Sequence, residues 1–144
     1  MNKEIKFRGM CIISGNWVYG DLIHGVGHKD GKLYILPLVK NLASVKHCDP
    51  LDGVEVDPKT IGQFTGLHDK SGKEIYEGDI IKDLLTNAVY LVKIGFCKKR
   101  AYTGVWGEDL EGYEVSINND SDENSNTYIL VIGNIYENPE LLNP

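Results

Sequence analysis

The stretch Ile61-Gly62-Gln63-Phe64-Thr65-Gly66-Leu67-His68-Asp69-Lys70-Ser71-Gly72-Lys73-Glu74-Ile75-Tyr76-Glu77-Gly78-Asp79-Ile80-Ile81 decides the fold. It predicts a strand, a polar turn over Asp69-Lys70-Ser71-Gly72-Lys73, and a second strand that runs on into the chain. Gly72 supplies the positive φ that a short hairpin connection requires. Asp69 and Ser71 can bond the backbone of the turn.

Beyond this hairpin, Tyr90-Leu91-Val92-Lys93-Ile94-Gly95-Phe96 alternates, so Tyr90, Val92, Ile94 and Phe96 are expected to share one buried face. Tyr113, Val115 and Ile117 repeat the pattern. Asn118 to Asn126 is a polar, acidic run that cannot repay its ordering entropy by burial, and it is expected to be a loop. Tyr128-Ile129-Leu130-Val131-Ile132 is apolar at every position, which predicts a central strand covered on both faces. Asn138-Pro139-Glu140 supplies an N-cap, a proline and an early carboxylate for one closing helical turn.

Toward the N-terminus, Trp17 to Ile23 follows a Ser14-Gly15-Asn16 turn and has the aromatic and β-branched content of a strand. A glycine-rich loop from Gly25 to Gly31 leads to Leu33-Tyr34-Ile35-Leu36, and Pro37 marks an edge or an end. Lys40 to Lys59, with Asp49-Pro50, Asp52-Gly53 and Asp57-Pro58, predicts a less ordered connection, with a weak helical turn over 44–49. The resulting fold class is mainly β: a small β domain of short strands and hairpins with little helix. Its second half is expected to be barrel-like (SH3-like) or sandwich-like, because Gly78-Asp79-Ile80-Ile81 followed by Val89 to Phe96 resembles the start of SH3-like barrels. Two lobes are expected, residues 1–59 and 60–144, or one domain over 1–144.

At 144 residues the chain can bury a sizeable core without a metal or a disulfide. Cys11, Cys48 and Cys97 are odd in number and irregularly spaced, which predicts thiols in a reducing compartment. No apolar run has the length of a membrane span and the first residues lack a signal-peptide core, so a cytoplasmic protein with no membrane partner is expected. The net charge of −6 disfavours a surface dedicated to phosphate backbones.

Thr60 to Ile81 closely resembles the central signature of the YopX family of phage and prophage proteins. Ile5-Lys6-Phe7-Arg8 with Trp17-Val18-Tyr19-Gly20 resembles the family's opening, and Val131 to Leu142 its closing segment. One departure stands at Gly9-Met10-Cys11, where the family usually has Ala-Trp-Asp. The resemblance implies a phage or prophage accessory protein in a bacterial cell and supplies no mechanism.

No motif in the chain predicts a cofactor. His24 and His28 flank glycines that argue against a helix, and adjacent His47-Cys48 rarely chelate one ion, so no metal site is expected. No nucleophile elbow surrounds a serine, and Cys48 beside His47 is a poor nucleophile–base pair. Glu77 and Asp79 would share a face of a strand, which could serve a carboxylate-based hydrolase but is more ordinarily a solvated face with a turn-capping Asp79.

A non-enzymatic protein acting by contact with a protein partner or with itself is the leading expectation. Its candidate surface is Asp69, Lys70, Lys73, Glu77 and Asp79. The alternative is a nucleic-acid-binding module using Lys98, Lys99, Arg100, Tyr102 and Trp106, where charge and stacking interleave, although Glu108, Asp109 and Glu111 follow closely. A variant of the first idea is an acidic mimic that occupies a host defence protein.

Overall fold

The computed structural model describes residues 4–24, 31–39, 44–49, 53–99, 101–117 and 128–143. Most of the expected glycine-rich loop, the acidic run from Asn118 and residue Arg100 lie outside the described residues. The described strands are β1 (Phe7–Met10), β2 (Trp17–His24), β3 (Leu33–Pro37), β4 (Cys48–Asp49), β5 (Gly53–Val56), β6 (Gly62–His68), β7 (Glu74–Tyr76), β8 (Asp79–Asp83), β9 (Val89–Cys97), β10 (Tyr102–Glu108), β11 (Glu114–Ser116) and β12 (Ile129–Asn134). Short 3-10 helices cover Pro58–Thr60 and Pro139–Leu142. The chain is mainly β, as its alternating patterns predict. It divides into two compact units, Met1–Phe64 and Thr65–Pro144, so the division runs through β6.

In the first unit the strand order is β4-β5-β3-β2-β1, followed by the start of β6. One face is dry, with Ile35, Val54 and Val56 almost fully buried. On the other face Lys6 and Arg8 are buried by ring contacts. The Lys6 ammonium lies 4.8 Å from the Phe64 ring centroid, and the Arg8 guanidinium 4.4 Å from that of Trp17. The long apolar stems of both side chains allow this burial.

The expectation of a less ordered connection from Lys40 to Lys59 is corrected for its described residues, 44–49 and 53–59. Gly53-Val54-Glu55-Val56 forms β5, paired with β3 on one side and β4 on the other. Val54 and Val56 alternate inward, but four residues between turn signals carry too short a period to stand out. The weak helical turn at 44–49 is also replaced at its end, where Cys48–Asp49 is the strand β4.

In the second unit the end of β6 and β7 form the expected hairpin, and Gly72 has φ 87°. Asp69 N donates to Lys73 O at 2.8 Å, closing the turn. The second sheet has the order β11-β10-β9-β8-β12. Among the described residues no ladder joins β11 to β12, so this sheet is open and not a closed barrel. Its core gathers Leu67, Ile75, Ile81, Tyr90, Val92 and Ile117. Burial raises the Tyr90 hydroxyl pKa, with Asp83, Asp109 and Tyr113 adding to the shift. Ile75 is fully buried in this cluster. Ile75→Val, which removes one methylene, is expected to lower stability by about 1 kcal/mol in urea unfolding.

Two alternation patterns fail at their ends. Phe96 is 60% exposed and Tyr113 59% exposed: Phe96 lies opposite Thr103 beside the β9–β10 turn, and Tyr113 precedes β11. The fully apolar run before Gly133 is not central either. It forms β12, an edge strand of half-buried residues paired only with β8 in the sheet. Asn138 precedes the expected helical turn, but its side chain caps nothing there and instead accepts from Asn134 N at 3.4 Å.

Candidate functional site

The β6–β7 turn is organised by one carboxylate. Asp69 Oδ1 accepts the Ser71 amide at 2.9 Å, the Ser71 hydroxyl at 2.7 Å and the Lys73 amide at 2.9 Å. Its Oδ2 accepts the Val131 amide of β12 at 3.0 Å. Lys70 N adds a bond to Ile129 O at 2.8 Å. Residues 69 and 70 therefore behave as a short neighbouring strand along the outer edge of β12, with a side-chain carboxylate in the place of a main-chain carbonyl. This covers backbone groups that an edge strand otherwise presents for pairing.

Asp69 is only 5% exposed. Burial pushes its carboxyl pKa up, but the bonds from Val131, Ser71 and Lys73 outweigh that and hold it below the usual carboxylate range. Asp79 is also buried, and its Oδ2 accepts the Tyr76 amide at 2.8 Å. Glu77 stands in the turn between β7 and β8, not in a strand, so strand alternation does not place it on a face with Asp79. Of the five residues expected at this surface, Lys70 and Lys73 are exposed, Glu77 is half-buried, and the two aspartates hold backbone amides.

The second candidate region is the β9–β10 hairpin. Lys98 and Lys99 are exposed, and Tyr102 opens β10. Trp106 is 9% exposed and is not a free stacking platform. Its ring lies beneath the Lys93 ammonium, 5.1 Å from the centroid, and Lys93 is also paired with Glu108.

The burial follows from a strong curl that sequence reading did not show. Cys97 is opposite Tyr102, and Glu114 is opposite Glu108. On a flat sheet these positions would be separated by roughly 20 Å along β10. Yet Cys97 Sγ lies 2.7 Å from Glu114 Oε2, and Lys99 Nζ donates to Gly112 O. The hairpin end must therefore fold back over the face that carries Trp106, Lys93 and Glu108. Gly95 and Gly104 are cross-strand partners on that face and place no side chain in the bend. Gly95 has φ 128°.

A shallow cleft of roughly 340 Å³ is lined by Lys99, Gly112, Tyr113 and Glu114. The Trp106 indole Nε1 is buried with no hydrogen-bond partner among the described residues. An orphaned donor of this kind costs about 1–3 kcal/mol.

Other polar groups that sequence reading missed also support backbone. Asn134 Oδ1 accepts the amides of Tyr136 at 3.0 Å and Glu137 at 2.9 Å. The Thr65 hydroxyl donates to Ile75 O at 2.7 Å. The signal available for Asn134 was the Gly-Asn pair at the end of an apolar run, a common chain-reversal composition.

Cys11 and Cys97 are buried and Cys48 is half-buried, none in a disulfide. Burial pushes the Cys11 thiol pKa up, but the Ser14 hydroxyl and the Ser14 and Ile13 amides outweigh it, and the net shift is downward. No group of three metal-ligating side chains exists among the described residues, where His28 is not included. No helix among them is long and apolar enough to cross a membrane.

These features define a two-unit, antiparallel β protein whose best-organised polar groups bind its own backbone. The chain belongs to the YopX protein family, which matches residues 6–143. A solved structure described as protein EF1440 from Enterococcus faecalis has a similar fold, with a TM-score of 0.54 and 22% identity. The likeness covers 98% of this chain and 99% of that one. No curated protein matches.

Proposed function

We propose that the chain is a phage or prophage accessory protein that catalyses no reaction and works in the bacterial cytoplasm by contact with a protein partner or with further copies of itself. The observation that carries this reading is a patch of large apolar side chains left at the surface of the first unit. Tyr19 is 45% exposed, Leu38 58% and Val39 48%, and Leu38 N donates to Tyr19 O at 3.4 Å. Large apolar side chains exposed on neighbouring backbone favour association. Family membership supports a phage setting, and the use of Asp69 and Asp79 as backbone acceptors supports a role other than catalysis.

The test compares the wild-type chain with Leu38→Glu. Sedimentation velocity reads self-association, and affinity capture with and without nuclease reads partners. Association that survives nuclease is expected, and Leu38→Glu should abolish it without lowering the thermal midpoint. Association that vanishes with nuclease, or that Leu38→Glu leaves intact, would overturn the proposal.

A further inference from the structure

We infer that Cys11 and Cys48 form a paired thiol site, which a small-molecule disulfide converts reversibly into an intrachain disulfide. The pairing is set by register along one edge of β5. The other edge of β5 is taken by β3, with Leu33 opposite Val56 and Ile35 opposite Val54. On the remaining edge, Cys48 of β4 is opposite Val54. Two residues along that edge, Cys11 is opposite Val56 in a bridge just beyond the end of β1. Ile12 N donates to Glu55 O at 3.2 Å and Asp57 N to Met10 O at 2.8 Å, so the bridge is bonded on both sides.

Cross-strand partners carry their side chains on one face, and residues two apart on a strand share a face. Cys11 and Cys48 therefore lie on the face of Val54 and Val56, each only 1% exposed. Neighbours on one face of a strand edge are roughly 6.6 Å apart, at the upper end of the Cα separations that a disulfide spans. β4 is two residues long and stands last in its sheet, so a small shift of an edge strand brings the sulfurs together.

The two thiols have different surroundings. Cys48 is half-buried and within reach of a reagent, whereas Cys11 is 3% exposed. Burial raises the Cys11 thiol pKa and Glu55 adds to that, but bonds from the Ser14 hydroxyl and the Ser14 and Ile13 amides outweigh both. Donors aimed at sulfur favour the thiolate, which is the attacking form. The Cys48 thiolate attacks one sulfur of the reagent disulfide, expels one small thiolate and is left as a mixed disulfide. The Cys11 thiolate then attacks Cys48 Sγ, forms the Sγ–Sγ bond and expels the second small thiolate. The expelled thiolates take up the two protons that Cys48 and Cys11 released. Two protein thiols are thus oxidised, one reagent disulfide is reduced, and excess small thiol reverses both steps. The product ties β4 to the chain beyond β1.

The test treats the folded wild-type chain with oxidised glutathione at neutral pH, quenches by alkylation and maps the peptides without reduction. A Cys11–Cys48 link is expected, with Cys97 alkylated and no glutathione retained on Cys48. Cys11→Ser should instead accumulate glutathione on Cys48. The same treatment in urea should lose the preference and yield all three pairings of Cys11, Cys48 and Cys97, and dithiothreitol should return the wild type to three thiols. Four results would each overturn the pair: three unmodified thiols, a lasting glutathione adduct on wild-type Cys48, links that involve Cys97, or a Cys11–Cys48 link no commoner in the folded chain than in urea.

Discussion

Asp69→Ala is expected to lower the free energy of unfolding by about 3 kcal/mol, measured by denaturant titration at neutral pH. The substitution orphans the amides of Ser71, Lys73 and Val131 and the hydroxyl of Ser71, in part-buried bonds around the buried Asp69 carboxylate. Each bond to a carboxylate is stronger than a neutral one, but they are not additive, because the turn relaxes and water reaches part of it. Asp69→Asn retains one acceptor oxygen and should fall between the two.

The same residue sets an acid sensitivity. Its folded pKa is depressed below the unfolded value, so its contribution is present above the unfolded pKa of about 3.9. That contribution is lost as pH falls from there through the folded pKa. Stability measured from pH 6 downward should decline less steeply in Asp69→Ala than in the wild type over this window.

Gly20→Ala is expected to be of similar severity, about 3 kcal/mol, at the upper end of the range for overpacking. A Cβ on Gly20 would lie 2.0 Å from Leu36 O, 2.8 Å from Leu36 C and 3.0 Å from Pro37 Cα. These are backbone atoms of β3, and moving them breaks the register in which Gly20 faces Pro37. Gly20 is also opposite Phe7, so the strand is held from both sides. Chemical unfolding of Gly20→Ala beside Gly15→Ala separates a close approach from a general glycine effect. A Cβ at Gly15 meets nothing within 4 Å, and only its positive φ is strained.

What the sequence showed and what it concealed differ in how far apart the deciding residues lie. The 61–81 hairpin was legible because its turn chemistry sits within five residues of Asp69, and Gly72 has the φ that the turn demanded. The position of β12 was not legible. A wholly apolar run ordinarily means two covered faces and a central place, but here its outer edge is met by Asp69, 62 residues earlier in the chain.

The candidate sites were misread for a related reason. Turn bonds by Asp69 and Asp79 were expected from sequence, and only the fold reveals that both carboxylates are buried and that Asp69 also accepts the distant Val131 amide. Trp106 beside a lysine pair has the composition of a stacking platform, and only the curl at Gly95 and Gly104 buries it. Lys70, Lys73, Lys98 and Lys99 were placed at the surface from sequence and are exposed in the structure.

The central claim is that one carboxylate both builds the β6–β7 turn and closes the outer edge of β12. Hydrogen exchange of the Val131 amide tests it most directly, because that amide has Asp69 Oδ2 as its acceptor. At neutral pH Val131 should be protected in the wild type and lose most of that protection in Asp69→Ala under conditions where the Val92 amide remains protected. Rapid exchange of Val131 in the wild type, or equal protection in the variant, would contradict the account.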